Sequence, residues 1–73
     1  MGYGAIAAKV INGRISMETV KSFQEALQRY ISSTRNKVAL ALIVGESIDE
    51  GADNLSKMRI KGIDYFILIE KTE

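Results

Sequence analysis

Three short apolar runs, separated by two amphipathic stretches, fill almost all of the 73 residues. That spacing restricts the fold more than any other feature of the chain. The runs cover residues 5–11, 38–44 and 64–69, and the stretches cover 16–33 and 47–61. Apolar side chains at three- and four-residue steps mark one face of a helix, whereas short runs rich in branched side chains mark strands. A chain this short is one domain. Strands alternating with helices predict an α/β fold, a small β-α-β-α-β unit with a mainly parallel three-stranded sheet and two helices.

The local signals agree with that order. AIAAKVI ends at Asn12-Gly13, a strong turn pair. Ser16 is placed to cap a helix whose apolar stripe is Val20, Phe23, Leu27, Tyr30 and Ile31. Glu18, Lys21, Glu25 and Arg29 lie opposite, at pairing distance along a solvated face. The polar SSTRN, residues 32–36, ends that helix. VALALIV shows no alternation, which predicts a strand covered on both faces at the centre of a parallel sheet. After Gly45, Ser47 to Glu50 fits the S-x-x-E capping box. A second stripe follows at Ile48, Ala52, Leu55 and Met58. Lys57, Arg59 and Lys61 are then expected in the last helical turn, where the dipole favours cations, with Gly62 closing the helix. IDYFILIE reads as the third strand.

Size makes this architecture marginal, because so short a chain buries only about 60% of the surface that its unfolded form exposes. The sequence holds no Cys and no His, so neither disulfides nor a Cys/His zinc staple can compensate. A hydrophobic fraction of 47% is high for so small an interior, and oligomerisation, most simply a homodimer, is the expected remedy. If the three strands lie side by side in chain order, both helices cover one face of the sheet. The other face is then left bare and demands a partner.

Net charge is +1, so a nucleic-acid partner would have to be held by a local patch. No apolar run approaches the ~18 residues of a membrane span. The opening MGYGAI lacks the parts of a signal peptide, and Ile6 stands where a myristoylation signal has Ser or Thr. A cytoplasmic protein without membrane association is expected.

Four constellations bear on chemistry. Gly2-Tyr-Gly4-Ala-Ile-Ala7 matches G-x-G-x-x-A, but that loop works after a strand and before a helix, and here a strand follows; no cofactor is expected. Glu46, Asp49, Glu50 and Asp53 supply hard oxygen donors, with Glu46 and Asp49 the candidate metal ligands. First-turn acids are also ordinary dipole partners, and the spacing is not that of an EF-hand. Arg14, Arg35, Lys37, Lys57, Arg59 and Lys61, with Lys9, are the candidate phosphate contacts, although no aromatics interleave with them. Phe23, Tyr30, Tyr65 and Phe66 are read as core or interface. Lys9 is the odd residue, a charge within an apolar strand. Such a lysine ordinarily snorkels at a sheet edge, and it can alternatively project into a phosphate site.

From AAKVINGRISMETVKSFQEALQRY through KVALALIVGESIDEGADNLSKMRIKGIDYFILIE, the chain resembles the later part of the PD-(D/E)xK nuclease core, especially its Mrr-like restriction endonucleases. The resemblance lies in order and spacing: a strand ending in a lysine, a turn into a helix, a buried strand, a short Ser- or Thr-capped helix and a final strand. It implies a restriction-endonuclease-like scaffold with Lys9 at the family's lysine. Departures accompany it. Ala7 occupies the position of the family's metal-binding Glu, Asp or Gln. With eight residues before Lys9, the upstream strand carrying the family's Asp is expected to be absent. Gln24 falls near a helix position where some relatives carry Gln, but its spacing to Tyr30 differs. Lacking two carboxylates, such a relative has no platform for a divalent cation and is catalytically silent.

Three functions follow as expectations. The first is a non-enzymatic, self-associating interaction module, an accessory protein with weak nucleic-acid binding at most. The second is a metal-dependent nuclease with Lys9 and acids from Glu46 or Asp49 brought together across a dimer. The third is a small-ligand sensor with an anion at a helix start near Ser47.

Overall fold

The unbroken 38–44 run forms the middle of a sheet. In the computed structural model, which describes residues 4–71, the elements in chain order are β1 (Ala5–Val10), β2 (Arg14–Ile15), α1 (Met17–Thr34), β3 (Val38–Gly45), β4 (Ser47–Ile48), α2 (Glu50–Ser56) and β5 (Ile63–Glu70). β1, β3 and β5 form one parallel sheet in the order β1-β3-β5, and β2 pairs with β4 in a separate two-stranded parallel piece. The expected α/β class, β-α-β-α-β sequence and parallel three-stranded sheet are therefore present, and the long strands lie side by side in chain order.

Period-two alternation then sorts the side chains. Ala7, Ala41, Ile43, Phe66 and Leu68 point toward the helices, where they pack with Val20 and Leu27 of α1 and Ala52 of α2. Ile15, Val20, Val38, Ala41, Ile43 and Ala52 are wholly buried. Phe23 and Phe66 meet edge to face with ring centres 5.9 Å apart, a favoured aromatic geometry. Tyr30 lies at the margin of the α1 stripe and is exposed, which corrects its assignment to that stripe.

α1 forms as its sequence predicts. Ser16 caps it, the hydroxyl accepting from the Thr19 amide at 3.3 Å. At the other end Arg35 turns into the left-handed region, φ 59°, and its amide donates to the Ile31 carbonyl at 2.8 Å.

The second helix differs from expectation. Ser47 and Ile48 are drawn into β4, paired with Arg14 and Ile15, so Ser47 does not cap. α2 starts at Glu50 with Asp49 as N-cap, and Asp49 makes no side-chain capping bond. The backbone explains the shift: the Asp49 amide donates to the Ile15 carbonyl at 3.0 Å, committing this segment to extended pairing. The helix also ends early, at Ser56. Lys57 is its C-cap, while Arg59 and Lys61 lie in the following loop. Met58 is 63% exposed and does not belong to the apolar stripe. Gly62 adopts φ +93° just before β5, where an added Cβ would meet Ile31 Cδ1 at 2.9 Å. Glycine fits this turn because the conformation is costly to other residues and the side-chain space is already filled.

Among the described residues no helix is long and apolar enough to cross a membrane.

Candidate interaction surface

The register of the three long strands builds a grid on the face turned away from the helices. Its rows are Ile6–Leu40–Tyr65, Ala8–Leu42–Ile67 and Val10–Val44–Ile69. Eight of these nine side chains are aliphatic, and the ninth is a tyrosine. No described element packs on them. Ile6, Val10 and Tyr65 are 73%, 70% and 69% exposed, and Ile67 and Ile69 are 45% and 41% exposed. With strands about 4.8 Å apart and about 3.3 Å per residue, the patch measures roughly 14 by 20 Å. Its apolar accessible area is on the order of 600 Å², the upper end of what monomeric proteins leave bare.

VALALIV is the central strand of a parallel sheet as expected, but among the described residues only one of its faces is covered. A strand buried on one side alone alternates apolar with polar residues. Here Ala41 and Ile43 meet the helices while Leu40, Leu42 and Val44 form the middle of the open grid.

The ends of the sheet differ in charge. All three long strands run the same way, so the loops divide cleanly. At the amino end lie Arg35 and Lys37, in the loop before β3, and Lys57, Arg59 and Lys61, before β5. The Val38 amide donates to the Gly62 carbonyl at 2.7 Å and ties these loops together. Lys37 pairs with Asp64 at 2.9 Å and Lys57 with Asp53 at 3.2 Å; Arg35, Arg59 and Lys61 enter no ion pair among the described residues. At the carboxyl end lie Glu18, Glu46, Asp49, Glu50 and Glu70, with Lys9, Arg14 and Lys71 as the nearby bases. Arg14 binds Asp49 at 3.2 Å, an exposed pair contributing at most about 1 kcal/mol. Helix dipoles oppose this pattern, since α1 and α2 both start at the carboxyl end. At about half a charge per terminus they do not cancel it.

The structure thus gathers five of the seven candidate phosphate contacts at one end and leaves two elsewhere. Arg14 is at the opposite end. Lys9 stands on the edge strand β1, level with Ile43 and exposed. It lines a shallow groove of about 490 Å³ with Ser16, Thr19, Ser22 and Glu25, and neither Glu46 nor Asp49 lines that groove. Ala7, at the family's acidic position, faces the helices opposite Ala41. Gln24 is half-buried on α1, and its amide nitrogen is enclosed without a hydrogen-bond partner among the described residues. Gly2 and Tyr3 of the glycine pattern lie outside the described residues.

The crevice that α/β sheets use for ligands opens where the strand order reverses. The order β1-β3-β5 contains no reversal. The carboxyl end is closed as well: the Glu46 amide donates to the Gly13 carbonyl at 2.7 Å and the β2–β4 pair spans the strand ends. Glu46, Asp49, Glu50 and Asp53 do not converge, and among the described residues no three His, Cys, Asp or Glu side chains are grouped to hold a metal ion. With Ser47 in β4, the expected anion position at a Ser47-capped helix start is not formed.

Comparison with protein-family models, with curated proteins and with solved structures finds no match for this chain.

Proposed function

We propose that this chain is a non-enzymatic interaction module that self-associates through the open face of its sheet. The observation that carries the proposal is the three-by-three apolar grid, bare on a domain whose other sheet face is fully used. Two such faces brought together bury roughly 1,200 Å² in total, within the range of stable specific interfaces. The interior is small and has neither disulfide nor zinc to reinforce it, so an added layer supplies the burial that it lacks. On this account Lys9 is a solvated edge lysine of a catalytically silent scaffold. The nuclease alternative requires a second chain to bring Glu46 or Asp49 to Lys9, because within one chain neither acid lines the Lys9 groove.

Association linked to folding makes stability depend on protein concentration. The urea midpoint is expected to rise between about 1 and 100 µM chain. An unchanged midpoint over that range refutes self-association as the working state.

A further inference from the structure

We infer that the open face is covered by a second copy of this chain whose two-fold axis runs across the strands, so that the cationic amino end of each sheet overlies the acidic carboxyl end of the other. The inference rests on the self-association just proposed and adds its orientation and its electrostatic clasp.

Two identical sheets closing face to face form an isologous pair, with the axis in the plane between them. Aligned packing of sheets keeps the strand directions within about 30° of each other. That leaves two axis directions. An axis along the strands sets β1 over the partner's β5 and β3 over its own copy, stacking like ends: Arg35 and Lys37, before β3, would face their own copies, and Glu46, after β3, its own. An axis across the strands sets each strand antiparallel over its own copy. The β3 loop with Arg35 and Lys37 then approaches Glu46, and the cationic β5 loop overlies the carboxyl end of the partner's β5. Like charges set opposite one another disfavour a contact, whereas opposite charges fix register. The charge division of this sheet therefore selects the second arrangement. It also matches the rows, placing Ile6–Leu40–Tyr65 over Val10–Val44–Ile69 and the middle row over itself.

Because the chain holds no cysteine, single engineered thiols report the orientation. Facing sheets stand about 10 Å apart, too far for a direct disulfide, so a short bismaleimide is the probe. Ala8→Cys is expected to link to itself. A mixture of Ala8→Cys and Ile67→Cys chains is expected to give no link between the two kinds. The reverse pattern overturns the orientation while leaving self-association standing. A chain that sediments as a monomer and links in neither case overturns both.

A second measurement follows the clasp. Arg35→Glu is expected to weaken association about tenfold at low ionic strength, with the difference lost near 1 M salt, where the screening length is about 3 Å. Mixing that variant with Glu46→Lys is expected to restore association. Wild-type association with no salt dependence, unaltered by the charge reversals, refutes the clasp alone.

Discussion

At the scale of single residues, the two sides of the sheet make opposite demands on similar side chains. Ile43 is wholly buried beneath both helices, and Ile6 is 73% exposed on the open grid. In a Leu42→Lys background, where the chain is held monomeric, Ile43→Ala is expected to cost about 2–5 kcal/mol in urea unfolding, and Ile6→Ala no more than about 0.5 kcal/mol. Equal losses would mean that the grid is already covered within one chain. Much of this was legible in the sequence. Val20, Phe23, Leu27 and Ile31 are where their spacing puts them, and Lys9 sits at a sheet edge, as a charge in an apolar strand suggests. Tyr30 and Met58 were misplaced because periodicity gives a direction around a helix but not where its neighbours end.

Elements show where local pattern yields to pairing. Ser16 and Ser47 carry similar sequence signals for a helix start, and only Ser16 caps. The difference lies in residues 14 and 15, remote from Ser47 in sequence, which hold it in β4. Two-residue strands such as β2 and β4 have no periodicity to read, so this closure of the carboxyl end could be found only from the fold. Ser16→Ala is expected to lower stability by about 1 kcal/mol, while Ser47→Ala changes it by less than about 0.5 kcal/mol. Circular-dichroism urea titrations of the two variants decide the matter, and a Ser47 loss as large as that of Ser16 would return the capping box to α2. The long strands were recoverable because their runs are apolar, branched and bounded by turn residues. Their order came from tertiary pairing.

For the whole molecule, a one-sided sheet has two consequences. Helices confined to one face leave the strand order without a reversal for a ligand crevice, and they leave the opposite face as a continuous apolar surface. Composition suggests an excess of apolar residues over what so short a chain can bury; of the eight large hydrophobic residues exposed among those described, five (Ile6, Val10, Tyr65, Ile67 and Ile69) lie on this face, and the charge is divided at its two ends. The central claim is that the nine side chains of the grid form a self-association surface. Sedimentation velocity of the wild type beside Leu42→Lys, at tens of micromolar chain, tests it most directly. A lysine at the centre of the grid is well solvated in a monomer, but in a closed interface it would be an unpaired buried charge. The account predicts a wild-type species of twice the 8.1 kDa chain mass and a folded Leu42→Lys monomer. A monomeric wild type, or a Leu42→Lys chain that still sediments as a dimer, would contradict it.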